Sequence, residues 1–293
     1  MPIDPFIRSQ LIRFGTLKGK ATRRVPHMFL PRSIASMYNR YLQKIISAQI
    51  AVLRQSLFPF LPSLVEEADY LRPILDDKRT DQASWFTNAV RLLSVVNMGM
   101  DNTIDKIEYT IDDIGNRTNV WHDRQWRKMM KGAIGVELYN TEPWIEDSLK
   151  SFTSENVALI TKLTKDTEQD IHSVVMGGIR AGKRAKTLQQ EILAGTKLQR
   201  GIFKKVRTRA KLIAVDQVLS FNSNLNKMRQ EDVGIKRYIW RDSQDRRVRP
   251  EHQIYNGQTY KWSQPPPDGH PGEPIRCRCY AEPIFDDLLL KGI

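Results

Sequence analysis

From Ser33 onward, apolar residues recur at steps of three and four: Ile34, Met37, Tyr38, Tyr41, Ile45, Ala48 and Val52. That period lines one side of a helix. Phe58-Pro59-Phe60-Leu61-Pro62 predicts its end, because each proline lacks an N–H donor and disfavours helix before it. A second helical region is expected from about Ser84 to Ile114, its later half marked by Ile104, Ile107, Ile111 and Ile114, with Asp101 as a cap and Gly115 as a stop. Helix is also expected over 117–138, where Trp121 and Trp126 read as core or interface anchors. Another covers roughly Ser154 to Ile179 through Val157, Ile160, Leu163, Ile171, Val174 and Val175. Thr187 and Gln190 have capping-box spacing for a short helix closed by Gly195. The last helix runs from about Phe203 to Glu231, with Leu212, Val215, Leu219 and Leu225 inward, and ends before Gly234.

Beyond Gly234 the period shortens to two. Tyr238-Ile239-Trp240 and Thr259-Tyr260-Lys261-Trp262 favour strand, with Asn256-Gly257 as a turn between them. Pro265-Pro266-Pro267-Asp268-Gly269 is excluded from a sheet interior. The expected fold class is a mostly α-helical body with a small α+β C-terminal module. Residues 1–32, with Pro2, Pro5, Pro26 and Pro31 and no sustained period, read as a basic extended arm. Residues 33–150 read as a helical N-terminal domain, 151–235 as a second helical part, and 236–293 as the α+β module and C-terminal tail.

Charge changes this picture in two places. The 293 residues carry a net +13, but the excess is concentrated. Residues 1–32 hold seven Lys/Arg against Asp4 alone, and 180–211 hold eleven against Glu191 alone. Such segments suit phosphates or an acidic protein surface. Arg8, Arg13, Arg23 and Arg24 of the arm, and Lys183, Arg184, Lys204, Lys205, Arg207, Arg209 and Lys211 of the second segment, are the candidate nucleic-acid contacts. Backbone contacts of this kind carry no sequence information and weaken steeply with salt. A solvated helical face accounts for the same charge run equally well. No apolar run approaches the ~18 residues of a membrane span, and no signal-type apolar core opens the chain. Two cysteines cannot build a disulfide framework, which fits synthesis in a reducing cytoplasm.

Candidate chemistry is sparse. Gly177-Gly178-Ile179-Arg180-Ala181-Gly182-Lys183-Arg184 approaches a phosphate-binding loop, but Arg184 stands where a Ser or Thr hydroxyl must meet magnesium, and the preceding residues read as helix instead of strand. Nucleotide binding is rejected there. His252, His270, Cys277 and Cys279 offer two nitrogens and two sulfurs to one tetrahedral zinc. Cys-x-Cys on a regular strand would point its thiols to opposite faces, so a shared ion requires a bend at Arg278. Otherwise the cysteines are small buried packing residues, with His252 bonded to backbone or to Asp245. Asp245, Arg247, Arg249 and His252 are also the group types of a metal-independent nuclease, and equally of structural ion pairs. No nucleophile elbow, paired carboxylates or metal-binding helix motif supports catalysis, so no enzymatic activity is expected.

One stretch resembles a known family. Arg209-Ala210-Lys211-Leu212-Ile213-Ala214, Asp216-Gln217, Asn222, Gly234-Ile235 and Tyr238-Ile239-Trp240 lead into Asp245-Arg246-Arg247-Val248-Arg249, His252, Gly257, Pro271-Gly272-Glu273 and Cys277-Arg278-Cys279. This ordered series is similar to the C-terminal module of the phage Mu F-like minor head (head morphogenesis) proteins of tailed bacteriophages. It covers roughly residues 150–285. The resemblance implies a minor capsid protein of the virion, made in the host cytoplasm and lying inside the head near the portal. It further implies association with the portal protein and with major capsid or scaffolding protein, a role in DNA packaging or ejection, and nonspecific contact with genomic double-stranded DNA. Asp245, Arg247, Arg249, His252, Gly257, Pro271 and Gly272 are then structural signature residues. The alternatives are a nonspecific DNA-binding protein without a portal role, and a nuclease-like effector, since related modules are fused to toxins.

Overall fold

A computed structural model describes residues 25–72, 84–134, 142–194 and 201–285. The arm arginines Arg8, Arg13, Arg23 and Arg24, and the stop expected at Gly195, lie outside them. The elements are α1 (Arg32–Ser56), α2 (Leu61–Leu71), α3 (Ser84–Asn102), α4 (Ile107–Ile134), α5 (Ile145–Arg180), α6 (Ala185–Leu193), α7 (Ile202–Asp232), β1 (Arg237–Arg241), α8 (Pro250–Tyr255), β2 (Thr259–Lys261) and β3 (Tyr280–Pro283). The expected helical body with a small α+β end is what the chain forms. Among the described residues no single helix is long and apolar enough to cross a membrane.

The chain divides into two compact units, each discontinuous in sequence. One comprises residues 1–37, 112–153 and 214–293; the other comprises 38–111 and 154–213. This division follows packing, whereas the linear one above follows composition.

In the unit built from 38–111 and 154–213, α1 buries Tyr38, Leu42, Ile45, Ile46, Gln49 and Leu53. The expected stripe is therefore rotated: Ala48 is exposed and Val52 half-buried. The buried side is part polar, with the Tyr38 hydroxyl donating to Asn156 Oδ1 at 2.9 Å and Gln49 Nε2 to Thr164 Oγ1 at 3.1 Å. The proline cluster does end α1, at Ser56, but Pro62 then opens α2 in its first turn, where its missing N–H costs nothing. Between α3 and α4 the helix is interrupted by a turn at 103–106. Asp101 falls in the last turn of α3, where its carboxylate meets Lys165 Nζ at 2.6 Å, so it caps no following helix. Thr187 likewise caps nothing: α6 starts two residues earlier, from the extended Arg184.

In the other unit α4 runs through Gly115 without stopping. A Cβ there would lie 3.0 Å from the Phe152 ring, so the glycine serves close packing against α5. Trp126 is buried with Met28, Met129, Met130, Val233, Ile235, Tyr280 and Phe285, while Trp121 stays half-buried and donates its Nε1 to the Phe29 carbonyl at 3.2 Å. α7 ends as expected: Gly234 takes φ +84 and Ile235 N returns to the Gln230 carbonyl at 2.8 Å. Its inward residues differ from the expected set, since Ala214, Val218, Leu219 and Leu225 are buried while Leu212 and Val215 are half-buried. The sheet is antiparallel, in the order β2-β1-β3, with Tyr238 opposite Tyr260 and Trp240 opposite Ala281. β3 has no counterpart in the strand pattern read from the sequence.

Candidate functional site

The signature residues are drawn together by interlocking bonds around the sheet. On α7, Asn226 and Gln230 lie one turn apart and both donate side-chain amide N–H groups to the Ala281 carbonyl of β3, at 2.8 and 2.9 Å. Gln230 Oε1 accepts from Trp262 Nε1 at 3.3 Å. These polar residues are buried, and a buried amide is stable only when so partnered. They position Tyr238, Trp240, Trp262, Cys277, Cys279 and Ala281, which form the module's core. Trp240 is wholly buried, which contributes roughly 2–3 kcal/mol as an aromatic anchor.

Two loops cross this core. In the first, Asp245 Oδ1 accepts from Arg247 N at 2.9 Å and pairs with the Arg278 guanidinium. Arg249, extended at φ −65° and ψ 147°, leads into α8, whose Pro250 fits the first turn. Its guanidinium reaches across to the Ile275 carbonyl at 2.8 Å. Asn256 (φ −59°, ψ 127°) and Gly257 (φ +80°) then form a type II turn, closed by Gln258 N to the Tyr255 carbonyl at 2.9 Å. In the second loop, Gly272 takes φ +96° with its Cα side against α7: a Cβ would lie 2.0 Å from Ser223 Oγ. Pro271 beside it is buried. Arg276, at φ +59°, is held by Asp216 Oδ1, which accepts its N–H at 2.6 Å. Asp216 and Asn222 of the upstream series thus stand on the helix that carries the loops.

The positive φ at Arg276 bends the chain before the cysteines. Residues 277–279 are outside β3, which starts at Tyr280, so both thiols turn to one side. Cys277 Sγ lies 3.6 Å and Cys279 Sγ 3.4 Å from His252 Nδ1. All three residues are buried, and their ligand atoms lie within 4.8 Å of one another. The other imidazole nitrogen, Nε2, makes no hydrogen bond and faces Asp268 Oδ2 at 3.7 Å. The neighbouring Cys279 side chain and the N–H groups of Cys279 and Gly272 draw the Cys277 thiol down to about 6, against the burial that opposes them. The same Cys277 group and burial push Cys279 upward.

His270 is elsewhere. Its Nδ1 is 2.9 Å from the Tyr238 hydroxyl, and its backbone N–H donates to Glu273 Oε2 at 2.6 Å. Burial lowers its pKa. Of the four expected donors, then, three converge and the fourth braces β1. His252 is bonded neither to backbone nor to Asp245, which is occupied by Arg278. Of the nuclease-type groups, Asp245 is bonded to Arg247 N and Arg278, and Arg249 to the Ile275 carbonyl.

The basic candidates also separate. Lys183 pairs with Glu191 at 2.8 Å, Arg209 with Asp166 at 3.1 Å, and Arg207 donates to Gln43 Oε1 at 2.8 Å. Among the described residues, Lys204, Lys205 and Lys211 on α7 and Arg184 are exposed and form no ion pair. Residues 177–182 end α5, with Gly182 at φ +69° and Lys183 N bonded to the Gly178 carbonyl at 2.9 Å. That is a helix terminus and not a phosphate loop.

A second buried charge cluster escaped the sequence reading. Arg229, 2% exposed, forms a bidentate pair with Glu142 at 2.6 and 2.7 Å and also donates to Asn119 Oδ1 at 2.7 Å. Its Nη1 lies 2.5 Å from His122 Nδ1. A guanidinium only donates, so that nitrogen is the acceptor and His122 is neutral. Burial, then Arg229, holds its pKa well below the usual value.

Residues 169–282 match the family described as Phage Mu protein F like protein. The chain is also 32% identical over 162 residues to an uncharacterized protein of Haemophilus influenzae, a match covering 54% of this chain and 35% of that protein. The chain therefore spans about a third of the length of that relative. No solved structure matches it.

Proposed function

We propose, taking as premise that residues 169–282 belong to the phage Mu protein F like family, that this chain is a head morphogenesis protein of a tailed bacteriophage. In this reading it is a minor component of the virion, held inside the head near the portal vertex. The family match is the observation that carries the reading. The site is consistent with it: the signature residues are spent on holding two loops to a helix and a sheet, as an architectural module requires. Particles isolated from phage-producing cells test it. Mass spectrometry of gradient-purified procapsids and virions is expected to find the chain at a few copies per particle. Its absence from both would defeat the reading, and co-sedimentation with purified portal tests the finer placement.

The exposed Lys204, Lys205 and Lys211 favour contact with packaged DNA through phosphates alone. Three such contacts give a slope of log affinity against log salt of about −3. Reversing Lys204, Lys205 and Lys211 to Glu is expected to abolish most of that slope. Duplex affinity indifferent to salt would refute backbone contact.

A further inference from the structure

We propose that His252 Nδ1, Cys277 Sγ and Cys279 Sγ bind one zinc ion. The observation that calls for it is two sulfurs aimed at a single ring nitrogen, at 3.6 and 3.4 Å. A neutral imidazole nitrogen has one in-plane lone pair, so it cannot accept well from two thiols at once. An ion between the three atoms uses all of them. For tetrahedral zinc, with bonds of about 2.3 Å to sulfur and about 2.0–2.1 Å to nitrogen, the expected sulfur–nitrogen separation is about 3.6 Å. The observed distances, 3.6 and 3.4 Å, lie at and just below that value. Two thiolates and one imidazole are also the donor set that selects zinc over the hard cations.

The surroundings fit a ligating histidine. His252 Nε2 is buried and has no hydrogen-bond partner, yet it faces the Asp268 carboxylate at 3.7 Å. A histidine that binds metal through one nitrogen ordinarily turns its other N–H to a carboxylate, which fixes the ring and its tautomer. The Trp240 ring stands edge-on to the imidazole at 5.1 Å and restricts its rotation. Charge balances as well: two thiolates neutralise the dication, so the buried site carries no net charge. A water molecule completes the tetrahedron. His270, bonded to Tyr238, takes no part. The ion would pin α8 to the segment preceding β3, positions 25 and 27 residues apart along the chain.

The full chain, purified without chelator and then dialysed against zinc, is expected to hold close to one equivalent by elemental analysis. Cys277→Ser and Cys279→Ser are each expected to lower bound metal at least tenfold, while His270→Asn keeps the wild-type content. Cobalt incorporated during growth is expected to give the near-ultraviolet sulfur-to-metal band and the intense visible bands of a tetrahedral thiolate site. Less than half an equivalent of zinc before and after dialysis overturns the proposal, as does cobalt bound without a sulfur band. Should the serine variants fail to fold, the metal content and cobalt spectrum of the unaltered chain still decide.

Discussion

Glu142→Gln removes the counter-ion of a guanidinium that has almost no access to water. Arg229 is 2% exposed, and four of its donors are directed at Glu142, Asn119 and His122. Removing one partner of a buried ion pair costs about 3–5 kcal/mol, because the other charge stays desolvated. The Glu142 side chain keeps 17% exposure, so water offsets part of the loss and about 2–4 kcal/mol is expected. That corresponds to a Tm lower by roughly 3–7 °C, from about 2.1 cal/mol/K of unfolding entropy per residue. Arg229→Met alone leaves the carboxylate and His122 Nδ1 without their donor and costs a similar amount. The double variant removes both charges, and so is expected to cost at least about 1.5 kcal/mol less than the sum of the single losses. Urea unfolding of the four proteins at pH 7.5 measures the cycle. A Glu142→Gln cost under about 0.5 kcal/mol, or simple additivity, would show that this cluster is not a coupled buried pair.

The two depressed histidines set the acid response. Unfolded, His122 and His270 each take up a proton near 6.5, and folded they resist it. The unfolded chain therefore binds more protons below about pH 6.5, and stability is expected to fall there by up to about 1.4 kcal/mol per pH unit for each histidine. Urea midpoints at pH 7.5, 6.5 and 5.5 check this, and His122→Gln is expected to reduce the slope; a flat profile over that range contradicts it. Gly272→Ala combines a positive φ with a Cβ 2.0 Å from Ser223 Oγ, whereas Gly257→Ala has the positive φ and open space. The first is expected to cost about 2–4 kcal/mol and the second about 1 kcal/mol, and the reverse order in thermal melts would be inconsistent with the packing described. Arg249→Ala frees the Ile275 carbonyl at an exposed site, so a loss of only about 0.5–1 kcal/mol is expected in the same melts.

Helices were legible wherever an apolar period ran unbroken, but their faces were not. The stripe on α1 was displaced because Gln49 is buried through its bond to Thr164, and a pattern of apolar residues cannot register a buried amide. The same blindness hid Asn226, Gln230 and Arg229, whose burial depends on partners 32 to 110 residues away. Gly115 was misread because a glycine that ends a helix and one that admits Phe152 look alike in one dimension. β3 was missed since four residues, Tyr280–Pro283, are too few to display alternation. The site was half visible. The bend that brings Cys277 and Cys279 to one side was recognised as a requirement at Arg278, and the positive φ arises two residues earlier, at Arg276. That His270 turns to Tyr238 depends on the sheet register and had no local signal.

The core containing Trp126, Met129 and Met130 draws its remaining walls from opposite extremes of the described chain, Met28 on one side and Tyr280 and Phe285 on the other. During translation that core is completed only when Tyr280 and Phe285 emerge, about 150 residues after Met130, at ordinary elongation speeds roughly ten to thirty seconds. A nascent or interrupted product stopped short of Tyr280 would display an indole and two thioethers to chaperones and proteases. A polypeptide that stops short of β3 lacks Tyr280 and Phe285, and with them two walls of that core.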